Sequence, residues 1–483
     1  MDKLNKPRKL NKPRPANKPR PQTALKPDTP LKRNHENPPP AERPEGRDSK
    51  RNPYSGRKGA GTVRASLERN KPETPGLGFG ALVNRRAADR LRSGHLWVYS
   101  SDIESVQLAG SVLPALLPVA DSRGLLLGTA LYSPSSQIAL RMVSREAIDE
   151  SRWLELLARR LRRAIERRKP TLNSETDACR LCFSEADELP GIVIDKYAGL
   201  VILQLLAKGL DSAAVRETCV RVLREELRPA LIVERPDPRM RELEGLAAPG
   251  SEPLFIADAA NPASQTRFRL NGLVFQFDAN AGQKTGAFLD QRENYAAARE
   301  WAKRLKTLGR ALDVCCYQGG FALHLAQVSS RVTGIDASRA ALEVAERNLE
   351  ANRAVLTAQV DWVEADAFQI LRDWSDSGET FDASVLDPPA FAKTHRAVEG
   401  ALRGYKELNL RALRMMRPGG LLVTCSCSHH VGWTELEAAV ASAAADASRR
   451  VRLLERRGAA PDHPVVLNLP ETEYLKCLVL EVE

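Results

Sequence analysis

A chain of 483 residues is too long for one hydrophobic core, and about two to four domains are expected. No apolar run reaches transmembrane length, and no apolar core follows the cationic first residues, so neither a membrane span nor a signal peptide is expected. The net charge of +11 belongs to one end: residues 1–75 hold 20 Lys and Arg against 8 Asp and Glu, and the remainder holds 52 against 53. The eight cysteines follow no disulfide-framework spacing, and the CxxC of Cys179 and Cys182 has no second pair to close a zinc site. No metal is expected, and a reducing cytoplasm fits the thiols.

Residues 1–76 read as a disordered basic tail, rich in Pro, Lys, Arg and Asn, with Asn5-Lys6-Pro7-Arg8 recurring from Asn11 and from Asn17. Polyanion contact by counterion release is the functional reading of such a tail, and a solubilising tail is the alternative. Residues 77–147 read as a small β-rich unit with strands near Leu96–Tyr99, Leu125–Tyr132 and Ile138–Val143. Arg85, Arg86, Arg90 and Arg92 precede the first of these, as phosphate ligands or as an ordinary solvated helix face.

Residues 148–275 read as a connecting α/β domain. It opens with a helix over 151–169, from the spacing of Leu154, Leu157, Leu161 and Ile165, and Pro170 ends the pattern. From 276 to 483 strands alternate with helices: 311–314 then 321–328, 331–335 then 338–348, and further strands at 360–363, 383–386 and 421–425. That order predicts a doubly wound α/β sheet.

The chemistry-bearing residues fall at the carboxyl ends of those strands, where open α/β sheets bind ligands. After the first strand, Gly319 and Gly320 let backbone approach a ligand before a helix begins. Asp336 ends the second strand, where an acidic residue suits ribose hydroxyls. Asp366 follows the third and can accept from an exocyclic adenine amine, and Asp387-Pro388-Pro389 closes the fourth as a rigid platform for the edge of a flipped base. The fifth ends in Cys425-Ser426-Cys427-Ser428. A thiol there is placed for chemistry, although a buried Cys also serves as a small hydrophobe.

Taken in this order, Asp313 to Phe321, Asp336, Asp366, Asp387-Pro388-Pro389 and Ser426-Cys427-Ser428 resemble the successive motifs of class I S-adenosylmethionine-dependent methyltransferases. More narrowly, the chain resembles the bacterial large-subunit (23S) rRNA cytosine-C5 methyltransferases of the PUA-domain type, also through 281–292, Arg403 to Asn409 and Asp462-His463-Pro464. The likeness covers about residues 79–483 and departs from the family pattern at Cys315, Cys316 and Gln318.

The resemblance implies a PUA-like RNA-binding domain at 77–147, a connecting domain, and a Rossmann-like catalytic domain at 276–483. It implies S-adenosyl-L-methionine as cofactor, held by Asp313, Gly319, Asp336 and Asp366 with Lys284, Asp290 and Arg292 nearby. It implies large-subunit rRNA as partner, Cys427 as nucleophile toward C6 of cytosine, and Asp387 holding the base. Cys425, two residues earlier on the strand, stays open as the nucleophile, and so does a homodimeric state. Two other readings remain: direct methyl transfer to N7 of guanine or N6 of adenine, and a non-catalytic RNA-binding assembly factor.

The tail's charge generates a first expectation. Deletion of residues 1–75 flattens the salt dependence of RNA binding and leaves the target position unchanged. Binding isotherms at several salt concentrations check this, and an unchanged slope means that the tail does not touch RNA.

Overall fold

The computed structural model describes residues 79–110, 115–235, 237–247, 250, 252–260, 264–280, 286–306, 308–392 and 394–483. The expected tail over 1–76 and Lys284 lie outside the described residues. The first sheet has six strands in the order Trp97–Tyr99, Ile138–Ser144, Leu126–Tyr132, Leu116–Asp121, Gly80–Val83, Ile103–Gln107. Alternate positions such as Ala81 and Val83, Leu117 and Val119, and Leu140 and Met142 are buried and close one core with Leu91. Leu91 comes from the helix Arg85–Arg92, where Asn84 accepts from Ala87 N at the N-terminus.

The helix Glu150–Arg168 begins where Asp149 accepts from Arg152 N at 2.8 Å. It buries Trp153, Leu157, Leu161 and Ile165 against a five-stranded sheet running from Phe255–Ile256 through Leu231–Glu234, Leu200–Leu205 and Ile192–Tyr197 to Ala178–Phe183. Cys179 and Cys182 are buried in this sheet, and burial pushes the Cys179 thiol up to about 12. They pack as small apolar groups. The other face of the sheet meets the hairpin Gln265–Leu270 and Leu273–Asp278, where Tyr197 stacks on Phe277 with centroids 3.9 Å apart. The hairpin straddles the boundary expected at 275–276, and its Phe268, Phe275 and Phe277 share one core with Tyr295, Phe321 and Ala322 further along the chain.

The last sheet carries the site. Its strands are β1 (Arg310–Val314), β2 (Arg331–Asp336), β3 (Gln359–Glu364), β4 (Phe381–Leu386), β5 (Met416–Ser426), β6 (Val451–Arg457) and β7 (Lys476–Val482). They lie in the order β3-β2-β1-β4-β5-β7-β6, with β1 to β5 parallel and β7 antiparallel to both of its neighbours. β4 is buried at all six positions, as a central parallel strand covered on both faces must be. Helices α1 (Arg292–Ala302), α2 (Gly320–Ala326), α3 (Arg339–Asn352), α4 (Ala367–Ser377), α5 (Val398–Met415) and α6 (Trp433–Asp446) flank it. The strand order reverses between β1 and β4, which opens a crevice beyond their carboxyl ends.

A buried ion cluster joins this sheet to the preceding one. Asp462 Oδ2 accepts from Arg180 N at 2.8 Å and from Arg292 Nη1 at 3.2 Å, and its carbonyl accepts from Arg168 Nη2 at 3.1 Å. Arg168 also holds Asp187 through both oxygens, at 2.6 and 2.7 Å. Burial works to raise the Asp462 carboxyl, but His463, Arg292 and the Arg180 N–H together hold it well below the usual carboxylate range. Asp462→Ala leaves Arg292 buried beside a missing partner and lowers stability by about 3–5 kcal/mol, read as a fall in the thermal midpoint. A depressed folded value makes this stabilisation complete above the unfolded carboxylate value near 3.9. It is lost as pH falls through the folded value, so the gap between wild type and Asp462→Ala closes on strong acidification.

Candidate active site

Between Val314 and Gly320 the chain must turn from β1 into α2. Cys315, Tyr317 and Gly319 all take left-handed backbone there, at φ of 62°, 50° and 86°. Two of the three are not glycine, at about 1–2 kcal/mol each, so the surroundings must impose the shape. Cys316 N donates to Ile335 O at 2.9 Å and Tyr317 N to Asp336 Oδ2 at 2.9 Å. Tyr317 Oη donates to Gly286 O at 2.9 Å, and its ring meets Phe288 edge-on. Strain of this kind collects at ligand sites. Gly319 is required for space as well: a Cβ would fall 2.8 Å from Cη2 of Trp362.

Four of the carboxylates singled out in the sequence converge on this loop. Burial, then Asp336, Asp387, Asp313 and Asp366 in decreasing order, push the Cys315 thiol far up. Asp313 is fully buried, and its Oδ2 accepts from Ala322 N at 2.7 Å in the first turn of α2. Its Oδ1 is buried with no hydrogen-bond donor among the described residues. Asp336 accepts from Tyr317 N and Ser338 N, and Asp366 caps α4 by accepting from Gln369 N at 2.9 Å. Asp387 N donates to Val314 O at 3.2 Å, which seats the start of Asp387-Pro388-Pro389 at the end of β1.

The thiol of Cys427 lies 4.0 Å from the carbonyl oxygen of Pro388. Its position is fixed on both sides. Ser426 Oγ donates to Tyr405 Oη at 2.8 Å, and Tyr405 Oη lies 2.9 Å from Ser428 Oγ, which accepts from Ala392 N at 3.1 Å. Lys476 Nζ donates to Ser428 O at 2.9 Å. Cys427 is half-buried, whereas Cys425 is fully buried and faces Cys477 across the β5–β7 ladder. Burial and Cys477 push the Cys425 thiol well above its ordinary value. Two residues of one strand would share a face, but β5 ends at Ser426, so Cys427 leaves the ladder and Cys425 stays in the core.

A PUA-like domain model matches residues 82–145, and a model of the S-adenosylmethionine-dependent methyltransferases matches residues 255–479. The ribosomal RNA large subunit methyltransferase I of Shewanella denitrificans is 36% identical over 398 residues, 81% of this chain and 96% of that protein. The protein of that name from Shewanella amazonensis is 37% identical over 399 residues, 80% and 95% of the two chains. The chain belongs to the ribosomal RNA large subunit methyltransferase I family. Its fold matches a solved structure described as a methyltransferase complexed with SAH, at a TM-score of 0.68, 19% identity and coverage of 83% of this chain and 99% of that one. A methyltransferase structure from Streptococcus mutans matches at a TM-score of 0.67 with the same identity and coverage.

S-adenosylmethionine is therefore the cofactor of this methyltransferase fold, and the residues present fit it. A crevice rimmed by four carboxylates favours a ligand carrying a sulfonium and an ammonium. The buried Asp313 Oδ1 is an acceptor that such a ligand's donor can fill.

Two other residues the family likeness suggested have partners of their own, and Asp290 acts with Asp387 and Asp313 on the buried Tyr295. Arg292 is buried in the ion cluster with Asp462. Asp290 Oδ2 accepts from Tyr474 Oη at 2.5 Å. Tyr474 and Lys476, both beside Cys427, carry no motif that would single them out in the sequence. Their only signal is the pairing of β7 with β5, which sets Lys476 opposite Ser426.

Gly319→Ala adds left-handed strain and a clash with Trp362, and is expected to weaken S-adenosylmethionine binding about ten-fold, or about 1.4 kcal/mol. Gly378→Ala is the control, because Gly378 takes a similar φ of 80° at the far end of α4 with no atom within 4 Å of the added Cβ. Calorimetric titration of both variants checks the contrast.

Proposed function

We propose that this protein forms 5-methylcytosine in large-subunit ribosomal RNA, with Cys427 as the covalent nucleophile. The observation that carries the proposal is the half-buried thiol 4.0 Å from the Pro388 carbonyl, at the rim of the crevice that holds the carboxylates. The RNA class is supported by the names of the relatives and by the PUA-like match at 82–145. A ribosomal RNA substrate suits a cytoplasmic protein.

The chemistry of cytosine explains the need for a thiol. C5 is too weak a nucleophile to take a methyl group unaided. S-adenosylmethionine, when bound, supplies a methyl group activated by a sulfonium. The Cys427 thiolate adds to C6, which makes C5 enamine-like and able to accept that methyl. Loss of the C5 proton then expels the sulfur and restores the ring. Asp387 holds the base through N3 or the exocyclic amine. Its backbone is fixed by the two prolines that follow and by the bond to Val314 O. Asp313, Gly319, Asp336 and Asp366 hold the cofactor in this proposal.

Cys427→Ala tests it. Methyl transfer to rRNA is expected to fall by about three orders of magnitude or more, with S-adenosylmethionine affinity nearly unchanged. Mapping of methylated cytosines at nucleotide resolution, with and without the gene, identifies the product. Retained transfer in the variant would point to direct methylation of a purine nitrogen instead.

A further inference from the structure

A cysteine nucleophile must be ionised, and the site that ionises it is a separate matter from the fold that positions it. The Cys427 turn is packed against several elements. Tyr405 faces it from α5, Tyr474 and Lys476 from the entry to β7, and the Pro388 carbonyl from the end of β4, next to Asp387. His429 follows on the same turn. Burial first, with the Cys427 charge adding to it, pushes both tyrosines up, which keeps them neutral near pH 7. Burial pulls His429 down, so that it too is neutral there. The Pro388 carbonyl accepts from the thiol and favours the protonated form.

Lys476 differs from all of these. The residue is 3% exposed, yet among the described residues its ammonium makes no ion pair with a carboxylate. It donates to the carbonyl of Ser428, the residue after the nucleophile. Burial pulls it below the ordinary lysine value, and Cys427, then Glu473 and Glu435, pull it back. A buried ammonium with no carboxylate against it costs several kcal/mol unless some anion compensates. The anion that the proposed reaction requires at this place is the thiolate.

We propose that Lys476 is the positioning cation of this site, holding Cys427 as a thiolate before RNA arrives, with the thiol proton passing to water. This rests on the assignment of Cys427 as nucleophile. A lysine that only tied down the Ser428 carbonyl would leave the ionisation of the neighbouring sulfur unchanged.

The test is the pH dependence of iodoacetamide alkylation at Cys427 in the full-length protein, with the site resolved from Cys425 by peptide fragmentation. In the wild-type protein the apparent value is expected at about 7 or below, against about 8.5 for an ordinary cysteine. In Lys476→Gln it is expected to rise by a unit or more, with alkylation at pH 7 slowed about ten-fold. Lys476→Arg is expected to retain most of the wild-type rate, and calorimetric binding of S-adenosylmethionine reports that each variant is folded. The same profile in wild type and Lys476→Gln overturns the proposal. So does a wild-type value at or above that of an ordinary cysteine, which needs no variant at all. Alkylation requires neither RNA nor methyl transfer, so it stays informative if the product is not 5-methylcytosine. Failure of the nucleophile assignment would show separately, as activity retained by Cys427→Ala.

Discussion

The contact on which the site depends is between two strand ends that have no covalent reason to meet. The turn after β5 and the loop after β4 are pinned together by Ser428, whose hydroxyl accepts from Ala392 N while Tyr405 reaches it from α5. Ser428, Tyr405 and Ser426 are all buried, so each of these bonds is costly to leave unmade, at about 1–3 kcal/mol for an orphaned partner. The brace makes Cys427 an extension of the proline platform instead of the start of a surface loop. Two prolines stiffen one side of the junction, and three interlocked hydroxyls stiffen the other. Preorganisation of this kind lets a half-buried thiol sit at a defined place without being buried into inertness.

A second constraint acts at longer range. The catalytic sheet and the five-stranded sheet are joined by the aromatic hairpin and by the Asp462 cluster, one apolar and one ionic. The apolar joint supplies area. The ionic joint supplies register, because a buried carboxylate that accepts from Arg180 N and Arg292 tolerates little displacement. Arg292 opens α1, and Asp290 two residues earlier bonds Tyr474, which faces the Cys427 turn. The spacing of the domains is thereby connected to the rim of the crevice through a few buried polar contacts.

How far the sequence disclosed this follows from which signals are local. The parallel strands β1, β2, β3 and β4 are legible because each is a short apolar run followed by a turn and a helix. The helices expected over 151–169 and 338–348 are found at Glu150–Arg168 and Arg339–Asn352, and the structure adds their caps, Asp149 and Ser338, whose side chains accept backbone N–H groups. β6 and β7 were not legible as partners of β5. β6 carries Arg452, Glu455, Arg456 and Arg457, the charge pattern of a protected edge strand, which resembles a loop when read alone. The strands at 80–83, 103–107 and 116–121 do not stand out in the sequence, because Gly80 and Pro118 read as turn residues and Glu104, Ser105 and Gln107 break the apolar run. The motif residues at strand ends were visible from their order. Lys476 was not, because its place is set by a strand pairing some 50 residues away in the chain.

The crevice contains a second thiol, and comparison of the two bears on the choice of Cys427 as the proposed nucleophile. Cys315 is not fully buried, it sits on a strained loop, and it lies in the midst of the carboxylates. By exposure and strain alone it would be as good a candidate as Cys427. Its surroundings forbid it: Asp336, Asp387, Asp313 and Asp366 all act to keep its proton on, and burial does the same. These carboxylates are what make the crevice attractive to a cationic cofactor, so a thiol among them is disabled by the requirement that the cofactor bind. The sulfur proposed as nucleophile has to stand away from the centre of that cluster and still border the same crevice. Cys427 stands past the end of β5, 4.0 Å from the Pro388 carbonyl, and the residue after it accepts from the buried ammonium of Lys476.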